Sequence, residues 1–488
     1  MPRPLKPKSG VVARPSLKKK KLVSDEISSD SDEALSQSDS HEEEYEHETA
    51  HEKHIRLTRK AIQKAKEQVG SDEEELQKFS LRLKEEALLE KGRLTINLAS
   101  KVILEFQFRL VQVPPPDPSK LICLRGHRRA VSCVCVSEDG KYAFSGGKDS
   151  SIIKWNLDSF RKIAVLRGGK RGSKYPYHTG PILSISISSD SKYLASSSMD
   201  ETVVIWDPDT MFVCMKLRQH RAAVTAVAFR RHSHMLFTAD CSGRVCVWNM
   251  PLTEVLQDQG ARTNIEILGL CGLTAERCVS CSGFGGPGIC VWKVPEEVCV
   301  QYTTKNAFET AVECVYAIND DVFIGGSATN KLYVWHVSRG SPVFTVDSAH
   351  PEPKLVDQSF DSVTFHRPVA NWVSAVTGLP GTDLIASAAS TGHVQFWRLL
   401  RASDEPDVGL NRSNQQQRAQ IKLERLAGCS ISLTGFVNSM TFSPDRQFLV
   451  VSLGQEHRLG KWELRRPVDA VVCLIPLNLP INYRQRSF

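Results

Sequence analysis

The sequence predicts an all-β, seven-bladed β-propeller preceded by a disordered charged tail and a short helical segment. After Leu121 the apolar pattern takes the two-residue period of β-strands, and a short β-type run that closes on tryptophan recurs along the chain. The spacings of 51, 42, 44, 43, 62 and 65 residues match or exceed the roughly 40–45 residues that four short strands require, so the longer intervals predict inserted loops. The closing tryptophans are Trp155, Trp206, Trp248, Trp292, Trp335, Trp397 and Trp462.

The first 52 residues are predicted to be disordered, because they contain few large apolar side chains. Residues 1–21 carry eight basic side chains and no acidic ones, and their run of four lysines resembles a nuclear import signal. Residues 22–52 carry twelve acidic side chains and no Lys or Arg, and form either a target for an acidophilic kinase or an inert spacer. A net charge of +11 is left on residues 53–488, which favours an anionic partner.

The remaining chain divides by composition into four parts. Residues 53–112 are a predicted helical segment, broken at Gly70, with Ser71 as N-cap and Glu74 as its capping-box partner. Neither helix has a wide apolar face, so we expect them to lie against the propeller or a partner. Residues 113–120 are a proline-rich linker, 121–478 the propeller and 479–488 a C-terminal tail.

Composition and motifs argue against a membrane protein, a metal protein and an enzyme. Apolar residues make up 41% of the chain, but none of the apolar runs approaches 20 residues and no secretory signal is evident, so the cysteines should be thiols. The single CxxC, Cys278 and Cys281, lacks a second pair at metal spacing. The GxGxxG run at 283–288 precedes a strand and not a helix, so we interpret it as a blade turn. We expect no cofactor and no small-molecule substrate.

The repeats resemble the WD40 family, whose units run from a Gly-His pair to a Trp-Asp pair, as Gly126-His127 and Trp206-Asp207 do here. The resemblance implies a buried hydrogen-bonded chain of His, Ser or Thr, Asp and Trp within a blade. Because the pattern occurs in two blades at equal spacing, its role should be structural and not catalytic. The matching sets are His127, Ser145, Asp149, Trp155 and His178, Ser196, Asp200, Trp206.

Later repeats depart from this pattern. In blade three His220, Thr238 and Trp248 fit, but Ser242 occupies the position of the acid; blade four also lacks an acid, and Glu456 stands at the equivalent place in blade seven. These blades are therefore expected to rely on packing. Either residues 121–124 or residues 470–475 supply the last outer strand, and WD40 order favours the first, with the second as an added edge segment.

Loops that lead into a blade emerge on the same face as the turns before the tryptophan strands. Blades seven, one, two and three should therefore join their basic side chains into one arc suited to phosphate contacts, although ordinary solvated loops are an alternative. Tyr175 and Tyr177 could stack on an unpaired base or pack against blade two. Arg230 and Arg231 project from the opposite face and suit a protein contact. The arc consists of Arg128, Arg129, Lys170, Arg171, Lys174, Tyr175, Arg221, His457 and Arg458.

Several segments resemble the WD-repeat subunit of the U3 small nucleolar ribonucleoprotein. They are 25–31, 91–94, 228–231, 435–442, 454–462 and 473–477, of which 454–462 is the most specific; the insertions between Trp335 and Trp462 depart from the family. The resemblance implies binding to the box B/C region of U3 small nucleolar RNA, beside a kink-turn-binding protein, fibrillarin and Nop-domain proteins. It further implies contact with pre-ribosomal assembly factors, and a nucleolar role in pre-ribosomal RNA processing and small-subunit biogenesis.

The alternative function is a protein-only nuclear scaffold, such as a chromatin reader or a ubiquitin-ligase substrate receptor. The ligase hypothesis is weakened because Trp206-Asp207 is followed by Pro208-Asp209 and not by the x-Arg ending of such receptors.

Overall fold

The structure is a computed structural model that describes residues 121–169, 176–250, 254–261, 266–284, 286–296, 298–304, 311–351, 371–380, 382–400, 421–460 and 470–477. All of them belong to the compact unit Leu81–Phe488. The predicted tail, helical segment and linker, and residues 478–488, lie outside the described residues. Within these ranges, no helix has the length and apolarity that crossing a membrane requires.

The described chain forms seven four-stranded antiparallel sheets, which confirms the seven-bladed all-β propeller. In ring order, the first three blades are blade one, β2–β5 (Val131–Val136, Tyr142–Gly147, Ile152–Asn156, Arg161–Leu166), blade two, β6–β9 (Ile182–Ile187, Leu194–Ser198, Val203–Trp206, Val213–Leu217), and blade three, β10–β13 (Val224–Phe229, Met235–Asp240, Arg244–Asn249, Glu254–Ala261). The next three are blade four, β14–β17 (Ile267–Gly272, Arg277–Ser282, Ile289–Lys293, Val298–Tyr302), blade five, β18–β21 (Val312–Ala317, Val322–Ser327, Leu332–His336, Phe344–Val346), and blade six, β22–β25 (Val373–Gly378, Leu384–Ala389, His393–Leu400, Lys422–Ser432). Blade seven consists of β26–β28 (Phe436–Phe442, Phe448–Gly454, Val471–Pro476) and β1 (Ile122–Arg125).

The first strands of consecutive blades contact one another around the ring, and β26 of blade seven returns to β2 of blade one. The second strand of each blade is covered on both faces, because the blades on either side pack against it. Strands β7 and β11, for example, are buried along their whole length. Small residues permit this packing: a Cβ added to Gly146 of blade one would come within 2.7 Å of Ile182 of blade two. Outer strands are exposed, as in β5.

Six of the seven repeat tryptophans lie on third strands and are at most 3% exposed, as the sequence pattern predicts. In five blades the indole Nε1 donates a hydrogen bond of 2.7–2.9 Å to a hydroxyl on the second strand. In blade five Gly325 occupies the hydroxyl position, and Nε1 of Trp335 has no partner among the described residues. The five hydroxyl acceptors are Ser145, Ser196, Thr238, Ser280 and Ser387.

Blade seven closes the ring differently from the sequence-based prediction. The N-terminal strand β1 is its outer strand, as WD40 order indicated. The prediction of residues 470–475 as an added edge segment is wrong, since β28 is the third strand, between β27 and β1. The run before Trp462 was expected to be that strand, but residues 458–460 are not in a strand and Trp462 lies outside the described residues. A long connection after Gly454 displaced the tryptophan from the repeat.

A buried ion pair reinforces the closure on the face of the leading loops. Lys148 of blade one pairs with Glu456 of blade seven at 3.2 Å, and both side chains are 8% exposed. The Lys148 ammonium also donates to the carbonyl of Gly460 at 3.0 Å. Beside it, the amide of Asn438 donates to the carbonyls of Val131 at 2.8 Å and Glu456 at 3.1 Å. Glu456 therefore serves the seam between blades and not a histidine of its own blade.

The substitution Lys148→Met should lower the free energy of unfolding by about 3 kcal/mol, because it leaves the Glu456 carboxylate buried without its counter-charge. The double variant Lys148→Met, Glu456→Leu should recover most of that loss, since no unpaired charge remains. Urea denaturation of the two single variants and the double variant measures the coupling. If Lys148→Met lowers the free energy of unfolding by the same amount in the natural chain and in the Glu456→Leu variant, the role of the ion pair is contradicted.

Candidate nucleic-acid interface

In blade one a hydrogen-bonded chain holds the leading loop in place. Nε2 of His127 lies 2.8 Å from the hydroxyl of Ser145, and Nδ1 lies 3.3 Å from the carboxylate of Asp149. The second oxygen of that carboxylate accepts the backbone N–H of Arg128 at 2.8 Å. The chain that begins at Trp155 therefore ends at the residue that presents a basic side chain to solvent.

Glycine is required beside this chain because the space is filled. A Cβ added to Gly147 would lie 2.6 Å from Nδ1 of His127 and 2.7 Å from the carboxylate of Asp149. A Cβ added to Gly126 would lie 2.9 Å from the ring of Trp155. The Gly-His pair thus reflects the close approach of the loop backbone to the buried indole.

Blade two repeats the arrangement. His178 lies 2.8 Å from the hydroxyl of Ser196 and 3.2 Å from Asp200, which also accepts the N–H of Thr179 at 2.9 Å. Burial alone would raise the pKa of Asp200, but the hydrogen bond and charge of His178 and the bond from Thr202 outweigh it and hold the pKa below its usual value. In blade one, burial of Asp149 is likewise outweighed by bonds from His127, Ser151 and Arg128, which lower the pKa of that carboxyl.

Blade three also has a complete polar set, contrary to the expectation that it lacks an acid. Asp240, at the end of β11, lies 2.8 Å from Nδ1 of His220, whose Nε2 is 2.7 Å from the hydroxyl of Thr238. Ser242, which the sequence placed at the acid position, donates to Asp240 at 2.6 Å. The acid comes two residues earlier than in blades one and two, so counting from a fixed spacing missed it.

Blade six contains a variant of the set that the sequence analysis also missed. Nε2 of His350 lies 3.0 Å from the hydroxyl of Ser387, and Nδ1 of His350 lies 3.1 Å from Nδ1 of His393. A second histidine therefore replaces the acid. Burial, with the adjacent charges of His393 and Arg425, lowers the pKa of His350 to about 3, and burial and Arg425 lower the pKa of His393. Blade six therefore keeps a polar set, although the later blades were expected to rely more on packing.

Antiparallel strands place every leading loop and every turn between second and third strands on one face, which we call the loop face. On this face Arg128, Arg129 and Arg221 are exposed, and each follows a histidine of a polar set. Arg167, in the loop expected to lead into blade two, and Arg218, which was not expected there, are also exposed on this face. Four other members of the expected arc lie outside the described residues: Lys170, Arg171, Lys174 and Tyr175.

The structure does not bring His457 and Arg458 into this exposed arc. His457 is 4% exposed, packed against Trp372 and Phe436, and burial next to Arg458 and Lys148 lowers its pKa to about 3, so it is neutral at physiological pH. Arg458 crosses from blade seven to blade four and donates to the carbonyl of Leu268 on the first strand β14. The expectation that these two side chains extend the basic surface is therefore wrong, because both turn inward.

Two aromatic side chains on the loop face differ in their availability. Tyr177 is half-buried and stacks on Trp206, with ring centroids 5.8 Å apart and ring planes 13° apart. Of the two possibilities for this residue, packing against blade two is therefore the one that the structure has. Phe284 is 69% exposed in the turn between β15 and β16 of blade four. Phe284 was not among the residues expected to bind RNA. The sequence signal that points to it is a glycine-rich turn that carries a single aromatic residue.

Arg230 and Arg231, expected to contact a protein on the opposite face, bind neighbouring blades instead. Arg230 donates to the carbonyl of Thr274 at 3.0 Å and pairs with Glu276 at 3.2 Å. Arg231 donates to the carbonyl of Ala317 at 2.7 Å. They line a cavity of about 1270 Å³ at that end of the central channel. Both guanidinium groups therefore join blade three to blades four and five.

The geometry of the polar sets suits a structural role and not a catalytic one. Ser145 and Ser196 are fully buried, and each hydroxyl already accepts the indole N–H of its blade, so a substrate has no access to them. Within the described ranges, no group of three or more His, Cys, Asp or Glu side chains is arranged to hold a metal ion.

Comparisons with known proteins show strong similarity. The model of the family "WD domain, G-beta repeat" matches residues 118–156, 169–207 and 212–249. The human U3 small nucleolar RNA-interacting protein 2 is 31% identical over 439 residues, 88% of this chain and 82% of that protein. Ribosomal RNA-processing protein 9 of Saccharomyces cerevisiae is 21% identical over 383 residues, 66% of this chain and 64% of that protein. The solved "Structure of U3-55K" superimposes with a TM-score of 0.62 at 31% identity, covering 74% of this chain and 100% of that chain.

Acid should destabilise the propeller through blade six. Because the pKa of His350 is about 3 in the folded chain and near 6.5 in an unfolded one, the unfolded chain binds more protons below pH 6.5. The stability that His350 contributes is present above pH 6.5 and is lost as the pH falls towards 3, by roughly 2 kcal/mol between pH 7.5 and pH 5. His457 of blade seven, whose pKa is also lowered to about 3, adds a similar loss that a change at His393 should not affect. Urea denaturation across that range measures the loss.

The variant His393→Asp places beside His350 the acid that blades one to three have. The carboxylate should raise the pKa of His350 and so reduce the loss of unfolding free energy between pH 7.5 and pH 5. His393→Asn is the uncharged control. An equal pH dependence for the natural chain and the Asp variant would show that His350 is not responsible.

Proposed function

Because the chain belongs to the WD-repeat family of U3 small nucleolar RNA-interacting protein 2, we propose that it is a non-catalytic RNA-binding subunit of the U3 small nucleolar ribonucleoprotein. Its ligand in this proposal is the box B/C region of U3 small nucleolar RNA. It acts in the nucleolus, in pre-ribosomal RNA processing and small-subunit biogenesis, beside the kink-turn-binding protein, fibrillarin, Nop-domain proteins and pre-ribosomal assembly factors. The homologues named for U3 and for ribosomal RNA processing support this assignment.

The observation that carries the proposal is the row of exposed guanidinium groups on the loop face. Arg128 and Arg221 directly follow His127 and His220, whose rings are held by their polar sets, and Arg129 comes next after Arg128. In blade one the carboxylate of Asp149 also accepts the backbone N–H of Arg128. Fixed loops reduce the entropy that binding would otherwise cost. Arginine presents a planar fork of donors that matches a phosphate, so a row of them suits the RNA backbone. The basic loop that contains Lys170, Arg171 and Lys174 extends the row in this proposal.

Phe284 adds a site for an unpaired base. Its ring is 69% exposed on the same face, and a base that stacks on an aromatic ring gains about 1–3 kcal/mol. Phosphate contacts alone are independent of sequence. A stacking residue beside them therefore favours single-stranded or bulged RNA over a continuous duplex.

Replacing Arg128, Arg129 and Arg221 together with alanine should reduce the slope of log Kd against log salt by about 2–3, because each lost phosphate contact contributes roughly 0.7–0.9. Filter binding to U3 RNA at salt concentrations from roughly 50 to 300 mM measures this slope. The charge-matched control replaces Arg161, Lys162 and Lys422, which are exposed on outer strands away from the loop face. Similar slopes for both triple variants would remove these arginines from the interface.

Replacing Lys170, Arg171 and Lys174 with alanine should flatten the same salt dependence while leaving the circular dichroism spectrum unchanged. The same control variant serves for comparison. An unaltered slope would exclude the loop that contains these residues from the site.

The identity of the RNA is tested by ultraviolet crosslinking in cells, followed by sequencing of the bound RNA. We expect U3 to be enriched over other nucleolar RNAs, with reads concentrated at box B/C. If no nucleolar RNA is enriched and only proteins co-purify, the protein-only scaffold becomes the better hypothesis.

A further inference from the structure

Two cysteines stand directly opposite each other at the seam that closes the ring. Strands β1 and β28 are antiparallel neighbours, and Cys123 of β1 is in register with Cys473 of β28. Residues opposite each other in an antiparallel pair point to the same face with Cα atoms about 4.5–5.5 Å apart. That range falls within the Cα separation of about 4.4–6.8 Å that disulfides span. The side chains of Cys123 and Cys473 contact each other.

The two thiols have different surroundings. Cys123 is exposed on the outer strand, where a small oxidant can reach it, whereas Cys473 is 1% exposed within the core between blades six and seven. Burial and the adjacent Cys123 thiol raise the pKa of Cys473. The exposed Cys123 thiol is the one that an oxidant meets first, and the Cys473 sulfur lies in register beside it, where it can react with the oxidised Cys123 sulfur.

We propose that Cys123 and Cys473 are a modification site at which a hydroperoxide forms a disulfide that locks the ring. The thiolate of Cys123 attacks one peroxide oxygen, the O–O bond breaks, and hydroxide leaves, which gives a sulfenic acid. The sulfur of Cys473 then attacks the Cys123 sulfur, the S–O bond breaks, and the thiol proton of Cys473 leaves with the oxygen as water. In total two thiols lose two electrons and two protons, and hydrogen peroxide becomes two molecules of water.

The location gives the disulfide a specific consequence. Strands β1 and β28 of blade seven are about 350 residues apart in the sequence, and this strand pair is otherwise held by backbone hydrogen bonds and side-chain packing. A crosslink across so long a loop constrains the unfolded chain strongly. Oxidation therefore converts a ring closed by non-covalent contacts into a covalently closed one, without involving the loop face.

The test treats the purified full chain with a small excess of hydrogen peroxide and then blocks remaining thiols. Peptide mass spectrometry without reductant should find the Cys123 peptide joined to the Cys473 peptide, and the midpoint of thermal unfolding should rise by roughly 5 °C or more. Dithiothreitol should reverse both changes. The variants Cys123→Ser and Cys473→Ser should each abolish the rise in midpoint.

Two controls come from the chain itself. Cys214→Ser removes an exposed cysteine of outer strand β9 and should leave the rise unchanged. Cys290 and Cys299 also interact, but the register pairs Cys290 with Gln301 and Cys299 with Trp292, so this diagonal pair should stay reduced under the same treatment. The proposal is overturned if Cys123 is converted to sulfinic acid or joins a second chain while Cys473 stays reduced. It is equally overturned if the joined peptides form without any change in the midpoint.

Discussion

The hydrogen-bonded chain from tryptophan to the leading loop is the interaction on which the rest of the molecule depends. In blades one, two and three the indole of the third strand, a hydroxyl of the second strand, a histidine and an aspartate connect the centre of the blade to its surface. The histidine side chains are 1% exposed and the aspartate side chains at most 12% exposed, so their polar groups must be satisfied largely within the blade, and the blade backbone must supply the geometry. In blade one this chain also binds the backbone N–H of Arg128, so it holds the leading loop that carries this arginine to the surface.

Blade seven shows what happens where this chain is missing. Glu456 was expected at the acid position of a polar set and His457 on the basic surface, yet Glu456 pairs with Lys148 and His457 packs against two aromatic rings. Arg458 extends across the central channel. Without an internal polar set, the polar groups of this blade are used to close the ring. The loop face of the propeller is therefore unequal, with exposed basic side chains on blades one to three and inward-facing ones on blade seven.

Local pattern was sufficient to predict most of the fold. A β-type run ending in tryptophan correctly predicted the third strand from Trp155 to Trp397. In five of these six blades the indole donates to a second-strand hydroxyl, and in blade five Trp335 is buried without such an acceptor among the described residues. It failed at Trp462 because an insertion moved the tryptophan away from the strand, which β28 supplies instead. Asp240 escaped prediction because distance in space, and not fixed spacing, decides which acid reaches the histidine. His393 escaped because its residue type differs from the acid that the pattern requires.

The candidate site was harder to predict, since exposure depends on contacts between blades. Arg128 and Arg221 are exposed as expected, but nothing in the local sequence distinguishes them from Arg458 or Arg231, which bind carbonyls of distant blades. We propose that RNA contacts the loop face of blades one to four. The most direct measurement is mass spectrometry of peptides crosslinked to bound U3 RNA by ultraviolet light. The account predicts crosslinks in the leading loops around Arg128 and Arg221 and at Phe284. Crosslinks confined to the opposite face, around Arg230, would contradict it.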